Sequence, residues 1–384
     1  MKYVVCVPDG CADEPCADLD GRTPLEAAAM PTLTGLAKRG EVGRATVIPE
    51  GLPPGSDVGN LSILGYDPAV HHTGRAPIEA AALGLTLRPD QVAFRCNLVT
   101  VRDGVMADFA GGHPRTEDAA EVVAALQATL GTGEVSFHPG VEYRHVVVAP
   151  AAWADARCTP PHDLSDEPAV LPTGPAGPRL QELMEASVPV VSGAPGDATQ
   201  IWLWGQGTQP VLPSFAERWG QRAALNTAVD LIRGLGVLTG IEVVEAEGVT
   251  AGYDTSYEAA RDACLEALGD GADLFLIHVE ATDEAGHAGD LTQKVRALEH
   301  WDRRILAPLL DGLDDLGPWR LLLLPDHATP VARKTHTSDP VPWVLVDSGH
   351  DGPGGVYSEA ATALCPPVPG HELMGRLLGR EPTT

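Results

Sequence analysis

The chain of 384 residues is predicted to be an α/β protein with a doubly wound, mostly parallel sheet. Three apolar runs are typical of buried parallel strands: "YVVCV" (3–7), "DLFLIHVE" (273–280) and "RLLLLPDH" (320–327). Segments with helical signals alternate with such runs, which is the pattern of a doubly wound core. Polar side chains follow the carboxyl end of each run, and open α/β sheets form their sites at that edge.

Capping signals mark several helix boundaries. "TPLE" (23–26) has the spacing of a capping box with Pro at the first helical position, and "PTLTGLAKR" (31–39) is a second helix. Thr255 and Glu258 predict another capping box, and Asp290 is expected to cap a long helix. These helices would cover the strands of the core.

The middle of the chain differs from the rest. Residues 92–200 are richer in Pro, Gly and short β-like pieces, with one amphipathic helix around 116–130. We therefore predict a smaller α+β domain over 92–200, inserted into a core formed by 1–91 and 201–384.

Composition limits the partners and the location. There are 26 basic against 53 acidic residues, a net charge of −27, which argues against nucleic acid or an anionic membrane as partner. No window approaches the roughly 20 apolar residues of a membrane span, and the apolar run in "MKYVVCVPDG" is too short for a signal peptide. The seven cysteines show no C-x-x-C spacing. We expect a cytoplasmic protein with reduced cysteines, and homo-oligomer formation is left open.

Seven side chains are candidate ligands of a metal centre. In "DEAGH" a carboxylate and an imidazole are close enough to share one ion, and the adjacent pair in "PDH" can serve two neighbouring ions. Mixed ligands of this kind suit Mn²⁺, Zn²⁺, Mg²⁺ or Fe²⁺. Turn, capping or hydrogen-bonding roles remain the alternative for each residue taken alone. The candidates are Asp9, Ser56, Asp283, His287, Asp326, His327 and His336.

The stretch "PPGSDVGNLSILGYDP" (53–68) places a serine at the start of an apolar segment. In one interpretation Ser56 or Asp57 only caps the helix that follows. In the other, Ser56 is a nucleophile whose hydroxyl is activated by two metal ions, and phosphoryl transfer follows naturally. A helix that begins after Ser56 would point free N–H groups at a phosphate. Bound cations would also explain how an acidic protein holds an anion.

Several motifs together resemble a known family along most of the chain. They are "PDGCAD", "TPLEAA", "PPGSDVGNLSILGYDP", "TGRAPIEAA", "HVEATDEAGHAGD", "LPDHATP" and "KTHTSDPVP". The set resembles the archaeal-type, cofactor-independent phosphoglycerate mutases of the alkaline phosphatase superfamily. The resemblance implies an alkaline-phosphatase-like core and interconversion of 3-phosphoglycerate and 2-phosphoglycerate through a phosphoserine at Ser56. It implies no need for 2,3-bisphosphoglycerate.

The resemblance also assigns roles to individual positions. One metal would take Asp9, Ser56, Asp326 and His327; the other would take Asp283, His287 and His336. The ions implied are Mn²⁺ first, with Mg²⁺ or Zn²⁺ as alternatives. The inserted domain would close over a small phosphorylated hydroxy acid and keep water from the phosphoserine. The cationic candidates for substrate binding are Arg75, Arg95, His113, Arg115 and Lys334.

The substrate has open alternatives. The chain looks closest to a bacterial subgroup also proposed to act as homoserine kinases, but its stretch 190–200 is shorter than in that subgroup. Phosphorylation of an amino acid or another small hydroxy acid, phosphomonoester hydrolysis, and metal-stabilised binding without turnover are the alternatives. The sequence has neither a Walker motif nor a G-x-S-x-G elbow, so a P-loop kinase and a serine hydrolase are disfavoured.

Overall fold

The computed structural model describes residues 1–194 and 196–381. The strands are β1 Lys2–Pro8, β2 Glu41–Thr46, β3 Gln91–Arg102, β4 Val105–Asp108, β5 Ser136–His138, β6 Arg144–Pro150, β7 Gln200–Gly207, β8 Ala223–Asn226, β9 Glu242–Val243, β10 Leu274–Val279, β11 Trp319–Leu323, β12 Val341–Asp347 and β13 Val368–Pro369. The helices are α1 Pro24–Ala27, α2 Pro31–Arg39, α3 Ser56–Ile63, α4 Pro68–His71, α5 Ala76–Ala82, α6 Thr116–Leu130, α7 Gly177–Val191, α8 Phe215–Trp219, α9 Asp230–Thr239, α10 Tyr257–Gly269, α11 Ala281–Ala288, α12 Leu291–His300, α13 Ala307–Leu316, α14 Glu359–Thr362 and α15 Leu373–Leu378.

The larger of two compact units, Met1–His72 with Leu212–Thr384, is built on an eight-stranded sheet. The strand order is β13-β2-β12-β11-β1-β10-β8-β9. β1 lies between β10 and β11 and is parallel to both, β8 and β9 continue the parallel part, and β12 is antiparallel to β11. The predicted α/β class with a mostly parallel sheet is confirmed. The apolar run of β1 forms a central strand because residues 4–8 are buried along their whole length.

The smaller unit, Thr73–Val211, contains a five-stranded sheet. β3 pairs antiparallel with β4, β6 and β7, and β5 pairs with β6. The unit extends beyond the predicted bounds of 92–200, because α5 packs against β3 and β7 before the sheet begins. The short stretch 190–200 includes Pro195, which lies outside the described residues.

Most of the predicted helix starts are found where the capping signals place them. Thr23 and Glu26 form the capping box of α1, and the Asp290 side chain accepts the N–H of Gln293 at the start of α12. The second capping box is wrong by one residue. Ser256 caps α10, because the hydroxyl of Thr255 accepts the N–H of Thr250 in the preceding loop instead.

The long helix predicted after Asp290 is interrupted by a π-helix over Trp301–Leu306, between α12 and α13. Within it, the buried carboxylate of Asp302 accepts the N–H groups of Thr32 at 3.1 Å and Leu33 at 2.7 Å. The N-cap residue of α2, Met30, has no side chain that can accept those bonds. The wider turn thus coincides with a cap for α2 that comes from a distant part of the chain.

All seven cysteines are free thiols. No helix within residues 1–194 and 196–381 is long and apolar enough to cross a membrane.

The buried histidine of β6 gives the smaller unit a dependence on pH. His145 Nδ1 accepts the N–H of Gly140 at 3.1 Å, and burial, aided by the charge of Arg144, lowers the pKa of His145 to about 4. The pKa of histidine in an unfolded chain is about 6.5, so on acidification the unfolded protein takes up this proton before the folded protein does. The stabilisation is therefore complete above about pH 6.5 and is lost as the pH falls towards about 4.

We expect the His145→Asn variant, which keeps an acceptor near the Nδ1 position, to lose less stability in acid than the wild-type protein. Between pH 7 and pH 4 the free energy of unfolding of the wild type should fall by about 1–3 kcal/mol more than that of the variant. Urea unfolding followed by tryptophan fluorescence at each pH measures this difference. Equal slopes for the two proteins would contradict it.

Candidate metal centre

Three carboxylates meet at the carboxyl edge of the parallel strands. Asp9 follows β1, Asp326 follows β11, and Asp283 lies in the first turn of α11 just after β10. The register pairs Cys6 with both Ile277 and Leu323, so these three strands end at one level. Asp9 and Asp326 are completely buried and Asp283 is 4% exposed.

Imidazoles complete two groups of potential ligands around these carboxylates. Ligand atoms of Asp9, Asp326 and His327 lie within 4.8 Å of one another, and so do those of Asp283, His327 and His336. His287 adjoins the second group, with Nε2 3.2 Å from Asp283 Oδ2 and 2.9 Å from His336 Nε2. The structure thus brings together all six carboxylate and imidazole ligands proposed from the sequence.

The three histidines present the same ring nitrogen to the carboxylates. Nδ1 of His287 lies 3.1 Å from the carbonyl oxygen of Lys334, and Nδ1 of His336 lies 3.4 Å from that of Pro54. Carbonyl oxygens only accept, so both Nδ1 atoms carry hydrogen and the Nε2 lone pairs of the neutral rings are left for other partners. His327 Nδ1 is likewise engaged, 3.1 Å from a threonine hydroxyl. Metal-binding histidines are held in this way in proteins.

The electrostatics of the first group favour a bound cation. Neither carboxylate oxygen of Asp9 receives a hydrogen bond within the described residues, although His278 Nε2 lies 3.0 Å from Oδ2. Burial, together with the charges of Asp326, Asp283 and Glu280, raises the pKa of Asp9 well above its usual value. A divalent ion would neutralise this repulsion and supply partners for the orphaned oxygens, so the residues present fit a metal.

In the second group of candidate ligands, contacts between opposite charges outweigh the effect of burial on the pKa values. Burial alone would raise the pKa of Asp283, but the contact with His287, whose Nε2 lies 3.2 Å from Asp283 Oδ2, holds it well below its usual value. Burial lowers the pKa of His287, and the hydrogen bond and charge of Asp283 outweigh that and raise it to about 9. The proton on His287 therefore supplies, next to Asp283, the positive charge that a metal ion would otherwise supply.

Ser56 is the first residue of α3, and the N-cap position before it is Gly55. Interpretation of Ser56 or Asp57 as the cap of this helix is therefore wrong. The Ser56 hydroxyl lies 3.1 Å from His327 Nε2, and the carboxylate of Asp57 bonds His72 Nε2 at 2.7 Å. Ser56 is 8% exposed, so its hydroxyl is largely buried beside the candidate ligands.

Residues that the sequence did not identify hold this arrangement together. Asn60 Nδ2 donates to Asp326 Oδ2 at 2.7 Å and to the carbonyl of Ser56 at 3.0 Å. Gly59 allows α3 to lie directly on the neighbouring loop, since a Cβ there would be 2.0 Å from the carbonyl oxygen of Asp326. His278, in the middle of an apolar strand, contacts Asp9. Polar residues inside apolar runs were the available signal for Asn60 and His278.

One cationic candidate lies in the larger unit. Lys334 is exposed and has a positive φ of 56°. Its carbonyl oxygen holds Nδ1 of His287, so its backbone has a role that does not depend on its charge. Binding of substrate by the Lys334 ammonium group stays a prediction.

The other candidates belong to the smaller unit. Arg95 is buried, lies 2.8 Å from Glu79 and stacks 4.4 Å from the ring centre of Trp204, while Arg75 Nε bonds the other oxygen of Glu79 at 3.1 Å. His113 meets Tyr143 edge-on, and Arg115 is 76% exposed and forms an ion pair with Asp118. Their part in substrate binding, and the covering role of 92–200, stay predictions.

Comparisons of the sequence agree with the motifs. The model of the 2,3-bisphosphoglycerate-independent phosphoglycerate mutase family matches residues 37–195. A protein of Methanothrix thermoacetophila with that name is 46% identical over 362 residues, which cover 91% of each chain. A Geobacter sulfurreducens protein named as a probable enzyme of this kind is 43% identical over 99% of this chain and 100% of its own.

Solved structures extend the likeness to the whole fold. A Pyrococcus horikoshii protein is 28% identical with a TM-score of 0.81, over 100% of this chain and 98% of its own. The cofactor-independent phosphoglycerate mutase of Thermoplasma acidophilum is 28% identical with a TM-score of 0.65, over 99% of both chains. Because identity above 40% extends over nine-tenths of both sequences, this chain belongs to the 2,3-bisphosphoglycerate-independent phosphoglycerate mutase family.

Proposed function

We propose that this chain interconverts 3-phosphoglycerate and 2-phosphoglycerate by passing the phosphoryl group through Ser56. The observation that carries the proposal is the Ser56 hydroxyl, buried and 3.1 Å from His327 Nε2 in a cluster of metal-ligand side chains. An adjacent base or a coordinated metal ion activates a serine hydroxyl as a nucleophile, and Ser56 is placed for such activation. The names of the relatives in the same family supply the substrate.

We propose further that two divalent ions bind here, with Mn²⁺ first because the family resemblance implies it; the mixed carboxylate and imidazole ligands are also compatible with Mg²⁺ or Zn²⁺. Asp9, Asp326, His327 and Ser56 would hold one, and Asp283, His287 and His336 the other. When bound, the ions would lower the pKa of the serine hydroxyl and neutralise the phosphoryl oxygens.

The chain's own groups account for the rest of the reaction. Ser56 Oγ attacks the phosphorus, the bond from phosphorus to the 3-hydroxyl oxygen of glycerate breaks, and that oxygen ends with the proton that Ser56 gives up. The 2-hydroxyl oxygen of the same glycerate then attacks the phosphorus of the phosphoserine, the bond from phosphorus to Ser56 Oγ breaks, and Oγ ends with the proton that the 2-hydroxyl gives up. Free N–H groups in the first turn of α3 favour the anionic phosphoserine. The low exposure of Ser56, 8%, disfavours hydrolysis by water.

Replacement of Ser56 tests the covalent route. The Ser56→Ala variant should lose at least about 1,000-fold in kcat, because it lacks the hydroxyl that is proposed to accept the phosphoryl group. Intact-mass spectrometry after a rapid quench with 3-phosphoglycerate should find one phosphoryl adduct on the wild type and none on the variant.

Ser62→Ala is the matched control for this experiment. Ser62 lies in the same helix, is completely buried, and its hydroxyl has no hydrogen-bond partner within the described residues. We expect it to keep the adduct and the activity. Turnover by Ser56→Ala at the wild-type rate would refute the covalent route.

The products identify the acceptor. With Mn²⁺ and 3-phosphoglycerate, we expect 2-phosphoglycerate to form without release of inorganic phosphate, because the low exposure of Ser56 disfavours transfer to water. Phosphorus NMR separates the two esters and inorganic phosphate in one sample. Release of phosphate alone, or turnover only with homoserine and ATP, would replace the proposed substrate while leaving the role of Ser56 in place.

The number of ions is tested by equilibrium dialysis against Mn²⁺ after removal of metal by a chelator. The wild type should bind two ions per chain, because its ligands form two groups. Asp9→Asn and His287→Ala should each bind one tightly, because each variant damages one group only. His350→Ala, at an exposed position, should bind two. A single ion in the wild type would contradict the two-metal assignment.

A further inference from the structure

The hydroxyl of Thr329 lies between the two groups of ligands. It is 2.5 Å from Asp283 Oδ1 and 3.1 Å from His327 Nδ1, and the residue is completely buried. An ionised carboxylate can only accept, so the hydroxyl donates its hydrogen to Asp283. The oxygen of Thr329 is then the acceptor for the hydrogen on His327 Nδ1, which leaves the Nε2 lone pair of His327 facing Asp9 Oδ1 at 3.4 Å and Asp326 Oδ2 at 3.5 Å.

The backbone of Thr329 is fixed by a lysine that has no exposed surface. Lys294 Nζ donates to the carbonyl of Thr329 at 2.7 Å, to Asp13 Oδ2 at 2.8 Å and to the carbonyl of Ala12 at 3.3 Å. These contacts use all three hydrogens of the ammonium group. Asp13 Oδ2 also accepts the N–H of Val331 at 3.1 Å. One buried ion pair therefore ties the loop after β1 to the loop after β11.

Helix α11 packs against the carbonyl group of Thr329 from the other side. A Cβ on Gly286 would lie 2.4 Å from the carbonyl oxygen of Thr329, so only glycine allows this approach. Asp283 stands one turn earlier in that helix. The position of Thr329 and the position of Asp283 are thus set by one packing contact.

We propose that Thr329 is a positioning residue that sets the tautomer of His327 and the orientation of Asp283, and that the buried Lys294–Asp13 pair holds Thr329 in place. The proposal rests on the metal centre proposed above. The Thr329 hydroxyl accepts the hydrogen on His327 Nδ1, which leaves the Nε2 lone pair of His327 directed towards Asp9 and Asp326. The second ion is left with Asp283, His287 and His336.

The test replaces Thr329 with Val, which keeps the shape and removes the hydroxyl, and with Ser, which restores it. Metal affinity is measured by titration of the metal-free protein with Mn²⁺ in a calorimeter. We expect Thr329→Val to bind Mn²⁺ about 10-fold to 100-fold more weakly, as loss of a partner behind a metal ligand generally does. Thr329→Ser should return to within about 3-fold of the wild type, because its hydroxyl can make the same two contacts.

Thr239→Val is the matched control. Thr239 is also completely buried, and its hydroxyl donates to the carbonyl of Leu235 at 2.6 Å inside α9. It should lose stability without a change in Mn²⁺ affinity. Lys294→Met should weaken Mn²⁺ binding in the same direction as Thr329→Val, and if it does not fold, the pair of Thr329 variants decides.

A second readout needs no metal. Nitrogen-15 NMR of histidine-labelled, metal-free protein, assigned with a His327→Asn spectrum, should place the hydrogen of His327 on Nδ1 in the wild type and in Thr329→Ser. Thr329→Val should lose that fixed tautomer. An unchanged tautomer together with unchanged Mn²⁺ affinity in Thr329→Val would overturn the inference. A wild type that binds no metal but shows the Nδ1 tautomer would overturn the metal centre and leave the role of Thr329 towards His327 standing.

Discussion

The repulsion among three buried carboxylates is the constraint on which the rest of this site depends. Asp9, Asp283 and Asp326 meet at one edge of the parallel sheet with almost no exposed surface. Burial and neighbouring negative charge raise the free energy of ionised carboxylates. Positive charge between them therefore stabilises the folded protein. In a chain with a net charge of −27, that local positive charge is also what an anionic substrate requires.

The sequence predicted the part of this arrangement that depends on short-range signals. A continuous apolar run followed by Pro-Asp-Gly marks β1 and Asp9, and the corresponding runs mark β10 and β11 with Asp283 and Asp326. Parallel strands of a sheet end at a common edge, so the residues that follow them can be predicted to lie close together even when the loop conformations are unknown. The α/β class follows from the same apolar runs, and most of the helix starts were predicted because capping residues are also a local signal.

The rest depends on which groups face one another across the fold, and a linear pattern does not contain that information. Lys294 lies on a helix whose other charged residues are partly or fully exposed, yet it is buried because Asp13 arrives from the loop after β1. Arg95 is a predicted substrate-binding residue, and the sequence pattern did not show that α5 brings Glu79 Oε2 to within 2.8 Å of its Nε. Thr255 does not cap α10, because its hydroxyl accepts the N–H of Thr250 in the preceding loop.

The segment "GSDVGN" (55–60) shows how the hydroxyl proposed as the nucleophile is fixed in position relative to one group of candidate ligands. Ser56 offers the hydroxyl, Gly59 lets α3 touch the carbonyl of Asp326, and Asn60 bonds both the Asp326 carboxylate and the carbonyl of Ser56. Any side chain larger than glycine at 59 would push α3 from the loop and separate Ser56 from His327. The motif therefore encodes a fixed spacing between the hydroxyl and its ligands, which is the property that in-line phosphoryl transfer needs.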